Sequence, residues 1–190
     1  DDTDGEATDV AGRYLPEPQT KGRPPLDIVA EPPGLAIRLA GRSITLEALG
    51  DGRYLAPDAA WDRFAFRFEP VAGQAVVVWH GGDRWVQAGG VDVPVGAVAD
   101  PVVAAIAGHY RSHNPWTSNF WVIVRDAVPW LAFAAAPDGF EDEQPLRARP
   151  DGSFGVGDDP RNPEDLRFDT VVGGRPLRAW LSGSPYYRVD

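Results

Sequence analysis

The chain contains no cysteine and no methionine, three histidines and a single lysine, Lys21. Without cysteine there is no disulfide, no thiolate metal site and no cysteine nucleophile. That absence does not fix the compartment, which the sequence leaves open. Long apolar runs are missing too. None approaches the ~18–20 residues that span a bilayer, so a soluble chain is expected. Neither a signal peptide nor an initiator methionine is visible, so a processed product or an excised piece of a longer chain is expected.

What is present is acidic and aromatic. The net charge is −10 and the pI about 4.7, a balance that disfavours nucleic acid and anionic membranes as partners. Part of the charge is local: Asp1, Asp2, Asp4, Glu6 and Asp9 read as a solvated tail over 1–10. Arginine supplies all the other basic residues, and with abundant Ala, Gly, Pro, Asp and Val this is the bias of a GC-rich bacterial coding sequence. Seven tryptophans and a hydrophobic fraction of 43% argue for a folded chain.

The sequence states one pattern twice. Leu46, Ala48, Asp51-Gly52 and Tyr54 align at an offset of one hundred with Leu146, Ala148, Asp151-Gly152 and Phe154. Phe66-Arg67-Phe68-Glu69 aligns with Leu166-Arg167-Phe168-Asp169, Gly12-Arg13-Tyr14 with Gly108-His109-Tyr110, and Trp79 with Trp180. A period this long is that of a whole small domain, not of a solenoid repeat. Within each copy, apolar side chains fall on every second residue, as in Leu35-Ala36-Ile37-Arg38-Leu39, which is the period of a strand with one buried face. Asp-Gly and Gly-Gly pairs punctuate the pattern where hairpins need positive φ.

The expectation is therefore all-β: two tandem antiparallel barrels of about eight strands each, from an internal duplication. Strands are expected at 12–16, 26–31, 35–40, 43–49, 52–56, 63–69, 74–80 and 83–87. The second set is 108–112, 120–126, 129–135, 144–149, 152–156, 165–171, 176–182 and 185–189. The domains follow as an acidic tail (1–10), a first barrel (11–88), a linker with a short helix (89–107) and a second barrel (108–190). The helix has Asp100 as N-cap, Pro101 at its first position and Gly108 at its end. Glu6 to Ala11 holds the matching place before the first copy.

The run Gly108-His109-Tyr110-Arg111-Ser112-His113-Asn114-Pro115-Trp116, continued by Asn119-Phe120-Trp121-Val122-Ile123-Val124-Arg125 and the terminal Leu181-Ser182-Gly183-Ser184-Pro185-Tyr186-Tyr187-Arg188, resembles the C-terminal region of bacterial serine hydrolases. These are of the penicillin-binding-protein, class C β-lactamase and D-aminopeptidase type, whose catalytic domain is followed by lipocalin-like antiparallel barrels. The resemblance covers most of 10–190. It implies an accessory, lipocalin-like module with the catalytic serine-hydrolase domain as partner, in the same parent chain or a separate one. The family's Ser-x-x-Lys motif does not carry over, because Lys21 is preceded at the required spacing by Pro18.

The candidate contact loop is the polar break between aromatics, with His113, Asn114, Trp116, Ser118 and Asn119 as its residues. Its plain structural reading is a wide loop at a barrel mouth, Trp116 covering the core end. His109 and His113 are four apart but not on a helix, and no metal-ligand run exists, so neither a metal nor any other cofactor is expected. Ser112, His113 and Asp126 compose a hydrolase triad on paper only, since no nucleophile elbow accompanies them. Trp79 and Trp180 are expected to plug the two cores. Asp158-Asp159 and Glu141-Asp142-Glu143 read as solvated turns, and Gly155-Val156-Gly157, with no helix following, is not a phosphate loop. The leading expectation is a non-catalytic barrel module that packs on a catalytic domain and shapes substrate access. The alternative is a stand-alone binder of a small apolar ligand. Homo-oligomer formation stays open.

Overall fold

The computed structural model describes residues 10–18, 22–71, 76–89, 93–134 and 143–190. The acidic tail up to Asp9, most of the helix expected at Glu6–Ala11, Lys21, and Glu141-Asp142 lie outside these residues. The chain divides into two compact units between Val95 and Gly96.

In the first unit, β1 (Gly12–Glu17), β2 (Leu26–Glu31), β3 (Gly34–Leu39), β4 (Arg42–Thr45), β5 (Glu47–Gly50), β6 (Arg53–Leu55), β7 (Phe66–Pro70), β8 (Val76–His80) and β9 (Asp83–Gln87) form one antiparallel sheet in the order β4-β3-β2-β1-β9-β8-β7-β6-β5. Its ends are consecutive in the chain, and Leu46 between them donates its amide to Leu35 O at 2.8 Å. The expected strand over 43–49 is thus one strand bent at Leu46, which pairs with β3 before the bend and with β6 after it. The sheet rolls into a nearly closed barrel.

The second unit is a closed barrel of β10 (Gly108–Arg111), β11 (Asn119–Arg125), β12 (Val128–Ala132), β13 (Glu143–Ala148), β14 (Phe154–Val156), β15 (Asp165–Val172), β16 (Arg175–Leu181) and β17 (Ser184–Arg188). Closure leaves no sheet edge to template aggregation. Counting β4 and β5 as one, the strands correspond one to one with those of the first unit. Two differences from expectation are local. Strand β7 starts at Phe66 instead of 63, because Asp58 gathers the preceding residues into a turn with bonds from Asp62 N and Ala60 N. Strand β14 starts at Phe154 because Asp151 Oδ1 accepts from both Ser153 N and Oγ, ending the chain's extension there.

The copies share their interior chemistry. Tyr14 and Tyr110 are fully buried, and each hydroxyl donates to the carbonyl four residues back, Tyr14 to Val10 O (2.6 Å) and Tyr110 to Ile106 O (2.8 Å). Phe68 meets Tyr14 and Tyr54 edge-on, while Phe168 meets Tyr110 and Phe154 at the equivalent positions. Burial pushes the Tyr110 phenol up to about 12. Tyr14→Phe and Tyr110→Phe should each cost about 1–2 kcal/mol by leaving a carbonyl without its donor. Urea titration of both variants checks this, and the loss should be larger at Tyr110, whose bond is the more buried.

Trp79 and Trp180 are equivalent, but they do not plug the cores. Both point outward. Trp79 Nε1 donates to Glu69 Oε2 (3.1 Å) with Arg84 stacked on its ring, and Trp180 Nε1 donates to Asp169 Oδ2 (2.9 Å) with Arg178 stacked on it. The tryptophan in the first core is Trp85, fully buried, its Nε1 satisfied by Pro24 O. Bonds from Arg178 and then Trp180 hold the Asp169 carboxyl well below its ordinary value. A depressed carboxylate stabilises the fold above its unfolded value, about 3.9, and the effect is lost as pH falls through the folded one. Asp169→Asn should therefore melt below wild type at pH 7, with the gap narrowing as pH drops under about 4. A gap constant from pH 7 to pH 2 would refute a stabilising role for the Asp169 carboxylate.

Helix α1 (Pro101–Ile106) has the expected start: Asp100 Oδ1 accepts from Val102 N at 2.8 Å. Arg188 from β17 secures its end by donating to Ala105 O (2.9 Å) and Ala107 O (2.5 Å), which satisfies carbonyls the helix leaves unpaired. That guanidinium lies against Gly108, where a Cβ would stand 2.8 Å from it. The helix therefore belongs to the second unit, with Ile106 in its core. Pro94 belongs to the first, where its carbonyl accepts from Arg84. No helix among the described residues is long and apolar enough to cross a membrane.

Candidate functional site

The loop joining β10 to β11 is held by side chains from three places. The ladder continues one step into it, with Ser112 N donating to Ser118 O at 2.8 Å. Asn114 then organises the turn. Its amide donates to Ser112 Oγ (3.2 Å), its Oδ1 accepts from Trp116 N (2.9 Å), and its Nδ2 donates to Ser184 Oγ at the start of β17 (3.3 Å). From the core, Tyr186 donates its hydroxyl to Thr117 O (2.9 Å). At the far side Asn119 Nδ2 donates to Ser118 Oγ (3.1 Å), and Asn119 Oδ1 lies 3.4 Å from His109 Nε2.

The five candidate residues thus share one braced loop, but not in the way the plain reading expects. Trp116 does not cover the core end. It is 93% exposed. His113 is exposed as well, while Asn114 and Asn119 are half-buried supports. The histidines do not form a pair: His109 stacks on Trp121 at 4.3 Å with nearly parallel rings. Among the described residues no group of three or more His, Asp or Glu is placed to hold a metal ion. Sequence reasoning missed Ser184 and Tyr186, which brace the loop from 69–70 residues away. Their signal was a hydroxyl-bearing residue facing the core on the last strand.

The paper triad comes apart. Ser112 lies beside Ser118 before β11, whereas Asp126 follows its end and accepts from Ala97 N. The intervening strand, at ~3.3 Å per residue, separates them by roughly 20 Å. Ser112 Oγ accepts from Asn114 N. A serine hydroxyl without an adjacent base is a weak nucleophile. The purified chain should therefore show no turnover of nitrocefin or p-nitrophenyl esters above buffer. Turnover abolished by Ser112→Ala or His113→Ala would show that the loop is an active site.

The barrel interiors are built as apolar cores, the first around Tyr14, Phe66, Phe68 and Trp85, the second around Tyr110, Phe120, Phe154 and Tyr186. An open groove of about 350 Å³ lies outside the first barrel along β1 and β9, lined by Leu15, Pro16, Glu17, Val86 and Val93 among others. The turn expected at Glu141–Glu143 also needs correction at its last residue. Glu143 begins β13 and forms a buried bidentate pair with Arg125. No family model matches the chain, and no curated protein does.

Proposed function

We propose that the chain is a non-catalytic accessory module of a serine hydrolase of the penicillin-binding, β-lactamase or D-aminopeptidase type, which docks on the catalytic domain through its Ser112–Asn119 loop. The observation that carries this reading is Trp116: a large aromatic, 93% exposed, on a loop whose backbone is fixed by Asn114 and Tyr186. Exposing an indole is unfavourable in isolation, and rigid aromatic anchors are what protein interfaces bury at their centres. The bracing removes the ordering cost that a floppy loop would meet on binding. The resemblance of the 108–125 run to the barrels of such enzymes supplies the class of partner. A small apolar ligand inside a barrel has less support, since large aromatic side chains occupy both interiors.

The test begins with the coding sequence adjoining this chain, which should specify a domain bearing Ser-x-x-Lys. Titrating the full chain with that domain should slow hydrogen exchange across 112–119 and shift the Trp116 indole resonance. Absence of such a domain both beside this chain and in a separate chain encoded next to it, or an unchanged loop at saturating domain, refutes the reading.

A further inference from the structure

The outer face of the second barrel carries a pair of arginines that its duplicate lacks. Arg147 and Arg149 both project outward from the β13 chain and its continuation, over Gly155 on β14. A Cβ at Gly155 would stand 3.0 Å from Arg149 Nη2 and 3.1 Å from Arg147 Nη2. Both guanidiniums therefore converge on one point, and the nitrogens are at most about 6 Å apart, a range in which like charges repel. Glycine is what allows this approach. In the first barrel the corresponding positions are Glu47, Leu49 and Leu55, with neither the charges nor the space.

The two charges are held by carbonyls, not carboxylates. Arg147 donates through Nε to Gly157 O (2.6 Å) and through Nη2 to Asp159 O (2.8 Å). Among the described residues Arg149 reaches Asn162 O through Nη2, at 3.5 Å. Neither forms an ion pair among the described residues. These bonds leave Nη1 of Arg147, and Nε and Nη1 of Arg149, as donors. Two nearby acids have partners of their own: Asp159 pairs with Arg161, and Asp165, the β15 residue directly opposite Gly155, pairs with Arg167. Arg161 lowers the Asp159 carboxyl, and Arg147 adds to that weakly. Two half-buried guanidiniums that converge with no ion pair of their own among the described residues suit an oxyanion, because planar N–H pairs match carboxylate and phosphate oxygens.

We infer that Arg147 and Arg149, seated over Gly155, form a binding site for a small oxyanion, a carboxylate or a phosphate group. The site uses side-chain donors, so it needs no helix N-terminus and is consistent with Gly155-Val156-Gly157 not being a phosphate loop. It is independent of the docking proposal, which concerns a different loop.

The experiment is a side-chain ¹⁵N NMR titration of the full chain with inorganic phosphate and, separately, with acetate, each against chloride at constant ionic strength. The expected result is a saturable shift of the Arg147 and Arg149 Nε signals with one or both oxyanions and not with chloride; the anion that saturates at lower concentration identifies the group. Arg149→Gln should abolish saturation. Arg149→Lys, which keeps the charge and loses the fork, should weaken binding by about five-fold or more, and serves if the glutamine variant does not fold. Asp159→Asn should tighten binding by removing a neighbouring negative charge, which a purely structural arginine pair would not show. A response identical to chloride, saturation retained in Arg149→Gln, or an affinity unchanged in Arg149→Lys, overturns the inference.

Discussion

Arg125→Ala should destabilise the second barrel by about 3–5 kcal/mol, a large share of the ~5–10 kcal/mol that a domain this small holds. Arg125 is 5% exposed. It donates through Nη1 to Glu143 Oε2 at 2.6 Å and through Nη2 to Oε1 at 2.7 Å, and its guanidinium lies over the Trp130 ring. Truncating the arginine leaves a carboxylate in a place that water barely reaches, and that uncompensated charge is the main cost. The pair itself is worth far less, since attraction at short range is offset by the desolvation of both ions. The two terms separate in a double replacement. Arg125→Met with Glu143→Leu removes both charges and keeps the volume, so it should recover most of the loss. Urea denaturation of the three variants decides. A single-variant loss under about 1 kcal/mol would place the pair with ordinary surface salt bridges. A double variant as unstable as the single would mean that packing, not the stranded charge, sets the cost.

This pair also marks a limit of what could be read beforehand. The duplication, the barrels and most strands were legible because period-two patterning and Asp-Gly or Gly-Gly turns are local signals. Glu143 was not legible as a buried partner, because it follows two other acids in sequence and its arginine sits 18 residues away. Trp79 and Trp180 show a second limit. Alternation says which residues share a face, but not which face is inside when both are apolar. Val76-Val77-Val78-Trp79-His80 is buried throughout, so the pattern gives no preference. Only the partners decide: Glu69 and Asp169 bond the indoles on the face away from the core, and Phe66, Phe68, Val76 and Val78 take the interior. The contact loop was legible in position and not in posture. A tryptophan among polar residues reads equally as a lid or a prong, and the choice rests on Asn114, Ser184 and Tyr186, which come together only when β17 closes on β10.

Because Trp116 packs on so little, Trp116→Ala separates docking from folding. Nearly all of its surface is already in water, so its removal should change stability by no more than about 0.5 kcal/mol. If the loop is the anchor of the proposed interface, the same substitution should weaken binding of the serine-hydrolase domain by about 2–4 kcal/mol, roughly 30- to 1,000-fold in Kd. Asn114→Ala provides the contrast. It leaves the indole in place and removes the bonds to Trp116 N and Ser184 Oγ. The loop must then be ordered on binding, at a cost of about 0.5–1.5 kcal/mol per immobilised group, so affinity should fall by about ten-fold or less with a modest loss of stability. Calorimetric titration and thermal melts of the two variants give a pattern that a merely structural loop cannot produce: a large affinity loss with unchanged melting at Trp116, and a small affinity loss with lowered melting at Asn114. Equal affinity of Trp116→Ala and wild type would remove the indole from the interface and leave the docking proposal without its anchor.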